Sequence, residues 1–375
     1  MNASLRGQKT DCEGILMKKL RIGLVGAGNI AKTHLRAYQD VENAEVVAIC
    51  DINAEKLAVT AAKFGITKTY TSETEMLANE ELDAVDVCVW NCNHAVCSIE
   101  ALNAGKHVLC EKPMATNAEE AQQMLDAAKK NNRLLMIGFV VRFCDESRIT
   151  MDFIDNGYLG DIYYSKATYL RRHGAPGGWF CDKSRSAGGP VIDLGVHVID
   201  ITRYMMGKPK ALSVYASTAD LLKNRPYLKT DVGWKPDDAS KDDIYDVEDF
   251  AVALIKYEGN KTTLLETSYS LNGQSAVNKE LFGTKGGIKL CQKTNDSPTD
   301  FTISTVVNDY LADITPDIKN YVDSKEQFTA EMEHFVDCCL NGTPCNASAE
   351  DGLEIMKILD AIYESARTGH EVIIK

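Results

Sequence analysis

No stretch of the 375 residues approaches the roughly 18 consecutive apolar residues that a membrane-spanning helix requires; runs such as Leu134 to Val141 are core-strand length. The N-terminus is polar and lacks the apolar segment of a secretory signal. There is no basic run. Lys plus Arg number 41 against 54 Asp plus Glu, a formal charge of −13, so neither nucleic acid nor an anionic membrane is an expected partner. Internal repeats and low-complexity tracts are absent. Zinc-type spacing is missing as well. Cys88, Cys92 and Cys97, with His94 among them, give C-x3-C-x4-C, which is not a zinc-ribbon spacing, and Cys88 falls inside a predicted strand. No metal is expected. Most of the 12 cysteines sit in apolar runs, which suits small buried thiols in a reducing, cytoplasmic setting.

What is present is a globular composition, 45% hydrophobic and 25% charged, in a chain long enough for about two domains. Met17-Lys18-Lys19-Leu20 reads as a second start, so residues 1–17 are expected to be a leader or a misassigned beginning. Short apolar runs then alternate with helical patterns. Leu20 to Val25, Ala44 to Cys50, Ala84 to Trp90, His107 to Cys110 and Leu134 to Phe139 read as strands. Ala31 to Tyr38, Ala54 to Phe64, His94 to Ala104 and Ala118 to Lys130 read as helices. This alternation predicts an α/β domain over 18–139, a parallel sheet covered on both faces.

Residues 140–375 change character. Alternating segments from Asp161 to Tyr169, Ala211 to Ser217, Asp249 to Tyr257, Lys261 to Leu271 and Asn278 to Phe282 predict a mostly antiparallel sheet. A helix is predicted near Ser147 to Asp155, another over Val191 to Met206, and a long polar excursion over 219–246. Two closing helices, Lys325 to Leu340 and Ala349 to Arg367, precede a short strand at Glu371 to Ile374.

Gly26-Ala27-Gly28-Asn29-Ile30-Ala31 fits G-x-G-x-x-A directly after a strand and at the opening of a helix. Gly26 permits the tight turn, Gly28 lets backbone approach a pyrophosphate, and Ala31 lets the helix pack close to the sheet. The helix N-terminus offers free N–H groups to phosphate oxygens, so Asn29 and Ile30 belong to the same binding turn. Asp51 ends the next strand, where a carboxylate accepts from ribose hydroxyls. It also repels a 2′-phosphate, and Ile52 and Asn53 supply no Arg to receive one, which favours NAD over NADP.

Three further blocks, read with this turn, resemble the Gfo/Idh/MocA oxidoreductases, the family of glucose–fructose oxidoreductase and inositol dehydrogenase. Ala104 to Pro113 reads A-G-K-H-V-L-C-E-K-P; Arg142-Phe143 follows the predicted strand ending at Phe139; Gly188 to Asp200 is similar to G-G-x-x-x-D-x-G-x-H-x-x-D. The resemblance runs from about residue 18 to the end. It implies an N-terminal Rossmann domain and a C-terminal α/β domain with a large, open-faced, mostly antiparallel sheet. It also implies a cofactor in the cleft between them, a cis Pro113, and homodimers or homotetramers formed through the C-terminal sheet. Cofactor contacts from Asn91, Asn93, His94, Glu111, Lys112 and Arg142 follow from it too. Trp90-Asn91-Cys92-Asn93-His94 departs from the family's usual T-P-N-x-x-H: Asn93 keeps the Asn and His94 is shifted.

Lys112 sits just past a strand's C-terminal end, where ligands of open α/β sheets bind, and its ammonium can stabilise an alkoxide. Asp193 and His197 are four apart, so on an α-helix begun by Pro190 they would face the same way and form a proton acceptor with its carboxylate helper. Asp200 reads as structural. Trp179 could stack on a sugar face, Arg142 joins the substrate side by its family position, and Arg171, Arg172 and His173 could read hydroxyls. The expected function is NAD-dependent oxidation of a secondary hydroxyl of a sugar, glycoside or polyol. Two alternatives stay open: a glycoside-cleaving hydrolase or lyase that uses tightly bound NAD for transient oxidation, and a non-catalytic sensor. The presence of Lys112, Asp193 and His197 argues against the sensor.

Overall fold

The computed structural model describes residues 19–223, 225, 228–229, 235–240, 242–292 and 300–375. The expected leader, Cys12 and part of the predicted excursion lie outside them. Six parallel strands form the first sheet: β1 Leu20–Val25, β2 Ala44–Cys50, β3 Lys68–Tyr70, β4 Ala84–Val87, β5 His107–Glu111 and β6 Leu135–Gly138. Their order is β3-β2-β1-β4-β5-β6, the doubly wound arrangement. Helices α1 Asn29–Gln39, α2 Ala54–Phe64, α3 Glu73–Asn79, α4 His94–Asn103 and α5 Ala118–Asn131 make the crossovers. β4 is buried at every position, which is why it reads as an unbroken run rather than an alternation. Local chemistry sets the helix ends. Asn53 accepts from Lys56 N–H to start α2, and Gly65 closes it at φ +72°, a left-handed backbone that disfavours a side chain. The strand order reverses at β1, so a crevice opens at the C-terminal ends of β1 and β4.

The second sheet has nine strands in the order β14-β13-β12-β11-β7-β10-β9-β8-β15. They are β7 Ile162–Leu170, β8 Ala211–Ala219, β9 Phe250–Tyr257, β10 Lys261–Ser268, β11 Ala276–Gly283, β12 Gly286–Cys291, β13 Asp300–Val307, β14 Tyr310–Ile314 and β15 Val372–Ile373. Every neighbouring pair is antiparallel except β7 with β10. The last three long strands had no counterpart in the sequence pattern. β12 opens on two glycines, and β14 is a largely exposed edge, so neither displays a clean apolar alternation.

Helices α6 Asp145–Asp155, α7 Lys183–Ser186 and α8 Val196–Met205 belong to the second half, with α8 packed on β7, β10 and β11. The closing helices α9 Gln327–Asn341 and α10 Ala349–Thr368 touch both halves: α9 lies on α1 and β1, and α10 spans α5 and β8. One apolar core therefore includes Ile22 and Val85 of the first sheet, Ala253 and Ile255 of the second, and Ile355 and Leu359 of α10. The helix expected over Val191 to Met206 is in two parts. Val191–Gly195 is a π-type turn, and α8 follows it.

Candidate active site

Gly26 follows β1 at φ +107°, and a Cβ there would stand 2.3 Å from the Cys88 carbonyl oxygen beyond β4, so only glycine fits. Gly28 is the N-cap of α1 and provides no side-chain cap, and a Cβ built on it meets nothing within 4 Å. The first-turn N–H groups of α1 thus face an open cradle. That is the geometry a pyrophosphate needs. Ala31 is fully buried behind it. Asp51 stands at the rim: one carboxylate oxygen accepts from Ala27 N–H at 2.7 Å, the other from Asn53 N–H at 2.8 Å. From the second half of the chain, Asp237 reaches the same turn, accepting from Asn29 Nδ2 at 3.3 Å and lying 3.6 Å from Lys32 Nζ. These residues fit a dinucleotide, with Ile30 packed behind the turn.

Lys112 follows β5, and its peptide bond to Pro113 is cis. Its ammonium donates to Asp193 Oδ1 at 3.0 Å and to the Asp193 carbonyl at 3.1 Å. Tyr269, fully buried beyond β10, donates to Asp193 Oδ2 at 3.0 Å. Burial works to raise the Asp193 pKa, but Lys112 and then Arg171 hold it below the usual carboxylate value. Burial, followed by Lys112, pulls His197 down to about 3, against the opposing pull of Asp193 and Glu111. Its imidazole is therefore neutral near pH 7. Among the described residues its enclosed Nδ1 has no hydrogen-bond partner.

Lys112, Asp193 and His197 thus act on one another, with Asp193 reaching His197 by charge rather than by a hydrogen bond. Asp193 makes no hydrogen bond to His197 among the described residues; its two oxygens go to Lys112 and Tyr269. Asp193 lies in a π-type turn, and it still acts on His197 through charge. Glu248 pins this turn by accepting from Gly189 N–H and Val191 N–H, and from Tyr363 OH at 2.9 Å. Thr267 donates to the Pro190 carbonyl from β10.

Several expected contacts are turned elsewhere. Arg142 is 2% exposed, grips Asp200 through Nε and Nη2, and donates from Nη1 to Asp351 and to the Asn346 carbonyl. Its guanidinium also lies over the Phe139 and Tyr204 rings. These contacts make Arg142 the centre of a buried hub, with Asp200 as its structural partner. His94 is buried with Nδ1 against the Pro113 carbonyl at 2.6 Å and Nε2 against the Val89 carbonyl at 3.1 Å, so it shapes the loop. Asn91 is buried and donates to the Ser186 carbonyl, joining the loop after β4 to α7. Asn93 is exposed at the start of α4. Glu111 is buried and accepts from Lys112 N–H and from His34, whose other ring nitrogen meets Asp86 at 2.8 Å; it orients Lys112 from behind. Burial opposes charge on His34, but Asp86 above all raises its pKa well above the ordinary value. Trp179 is half-buried in the short turn Gly178–Cys181, its ring 4.0 Å from that of Phe180.

Tyr269 and Glu248 have no signature in the sequence, and Lys279 has only a faint one. Lys279 on β11 is 3% exposed, burial lowers its pKa, and its charge contributes to holding His197 neutral. Its alternation with buried Leu281 is the one signal that places it on the inner face.

Comparison with known proteins agrees with this geometry. Residues 20–139 match the oxidoreductase family description with an NAD-binding Rossmann fold, and residues 152–374 match that family's C-terminal alpha/beta domain. The chain is 32% identical over 357 residues to D-glucoside 3-dehydrogenase of Escherichia coli K12, covering 94% of this chain and 97% of that protein. It is 27% identical over 338 residues to myo-inositol 2-dehydrogenase of Thermotoga maritima, covering 89% and 92%. A solved levoglucosan dehydrogenase in complex with NADH and L-sorbose superposes with a TM-score of 0.81 at 25% identity, covering 96% of this chain and all of the other. With both halves matched, the chain belongs to the Gfo/Idh/MocA family of NAD-binding oxidoreductases.

Proposed function

We propose that this chain oxidises a secondary hydroxyl of a sugar, glycoside or polyol, with Lys112, Asp193 and His197 as its working residues. Bound NAD+ supplies the hydride acceptor. The observation that carries the reading is the convergence of Lys112 Nζ, the Asp193 carboxylate and a neutral His197 where the end of β5 meets the start of α8. His197 takes the hydroxyl proton; Asp193 and Glu111 favour the imidazolium, while burial and Lys112 oppose it and so return the proton readily. Lys112 donates to the oxygen as it becomes an alkoxide. Asp193, fixed by Tyr269, keeps the ammonium aimed. Asp51 selects NAD by accepting from the ribose.

The relative named D-glucoside 3-dehydrogenase makes glucosides the first substrates to test. A spectrophotometric screen of glycosides, aldoses and inositols with NAD+ and NADP+ decides. Net NADH formation with NAD+ preferred is expected. Cleavage of a glycoside without net NADH would replace this reading with the transient-oxidation hydrolase, and inertness across the panel would remove it. The uncovered face of the second sheet, where Tyr215 pairs with Leu254 and both are exposed, supports self-association there, and Leu254→Arg should lower the sedimenting mass. Eleven free thiols among the described residues support a cytoplasmic setting.

A further inference from the structure

The C-terminal half of α9 and the loop after it carry reactive side chains that the oxidation does not use. His334, Cys338 and Cys345 bring a ring nitrogen and two sulfurs within 4.8 Å of one another. His334 and Cys338 are one helical turn apart, with Cys338 Sγ 3.4 Å from His334 Nε2. Gly342 ends α9 at φ +70° and turns the chain back, which returns Cys345 to Cys338.

The polar contacts distinguish two uses of such a cluster. His334 Nε2 already accepts from Asn346 N–H at 2.9 Å, so the lone pair a metal would need is engaged. Around the Cys345 sulfur stand the thiol of Cys338, the ring of His334 and the N–H of Ala347. That set stabilises a thiolate at Cys345, while Cys338, whose proton is shared, is held as the thiol. Cys345 is half-buried in a loop and Cys338 is 8% exposed behind it. The arrangement is a nucleophile with a resolving partner.

We propose that Cys345 and Cys338 form a peroxide-reactive thiol pair, a modification site separate from the dinucleotide and substrate sites. The Cys345 thiolate attacks hydrogen peroxide, the O–O bond breaks, and hydroxide leaves as a sulfenic acid forms. Cys338 then attacks that sulfur; the S–S bond forms, and the sulfenic oxygen departs with the thiol proton as water. Two thiols are oxidised by two electrons and one peroxide is reduced to water. The bond closes beside a fixed segment: the Asn346 carbonyl accepts from Arg142, and the Ala347 carbonyl accepts from Ile137 N–H of β6.

The test uses the reduced full-length protein. It is exposed to hydrogen peroxide, blocked with iodoacetamide, digested and read by mass spectrometry. One Cys338–Cys345 disulfide, reversed by dithiothreitol, is expected. Before oxidation, Cys345 should alkylate at least about tenfold faster than buried Cys50 or Cys110. In Cys338→Ser the oxidation should stop at a sulfenic acid on Cys345, captured by dimedone. In Cys345→Ser, Cys338 should stay alkylatable. Labelling of Cys345 no faster than the rest, a disulfide between other cysteines, or stoichiometric zinc shielding both thiols in the purified protein would each overturn the assignment. The wild-type mapping decides even where a variant fails to fold.

Discussion

Replacing Lys112 with Met keeps the length and the apolar stem of the side chain and deletes the ammonium. At 3.0 Å and an effective dielectric near 20, the Lys112–Asp193 pair has a gross attraction of about 5 kcal/mol, much of it offset by desolvation of the two ions. The catalytic cost is separate: losing one donor to a developing oxyanion is worth about 3–4 kcal/mol, or roughly 10²–10³ in kcat. A second signature follows from charge. Lys112 contributes the largest charge effect keeping His197 unprotonated, so without it the imidazole becomes more basic and the acid limb of the kcat/KM profile moves toward neutral pH. Steady-state NADH formation across pH, with NAD affinity measured by calorimetry, reads both effects. The double variant Lys112→Met with Asp193→Asn should recover thermal stability, since no unpaired carboxylate remains, but not turnover. A kcat within about tenfold of the parent, or a loss fully accounted for by weaker NAD binding, would refute the assigned role.

Asp51→Ala should weaken NAD binding by about 1.5–3 kcal/mol and narrow the preference over NADP, measured as the ratio of dissociation constants. Glu248→Ala releases the π turn while leaving the glycine cradle intact, so kcat should fall by up to about 10²-fold with NAD affinity retained; equal loss of both would contradict a positioning role. For His197 the sign is set by its lowered pKa: between about 6.5 and about 3 the unfolded chain binds a proton that the folded chain does not, so stability falls on acidification. From pH 6.5 to pH 5 this amounts to about 2 kcal/mol, and urea titrations should show the wild type losing that much more than His197→Asn.

The first domain was legible because its signals are local. The Gly26 turn, Asp51 and the uninterrupted strands need no knowledge of distant chain, and the observed order of β1 to β6 follows from right-handed crossovers. The second domain was less so. β12 to β14 carry glycines and an exposed edge, and the pairing of β7 with β10 joins segments nearly a hundred residues apart. At the site, Lys112 and the Asp193 block were visible as motifs, but their bonding was not. A helical repeat could not reveal that Asp193 also accepts from Tyr269, 76 positions away. Arg142 shows the converse: a recognisable position whose guanidinium is held by Asp200, Asp351 and a carbonyl, contacts set by helices far along the chain.

The ion pair between Lys112 and Asp193 ties the end of an inner strand of one sheet to the helix entry beside the other. It acts as a stopper in its own mouth: an arriving alcohol must share ammonium protons that the carboxylate already holds. Guests with a single weakly placed oxygen would lose that contest, whereas a ring bearing several neighbouring hydroxyls brings enough replacement bonds to enter. Discrimination would then begin before any bond is broken, at the moment of admission.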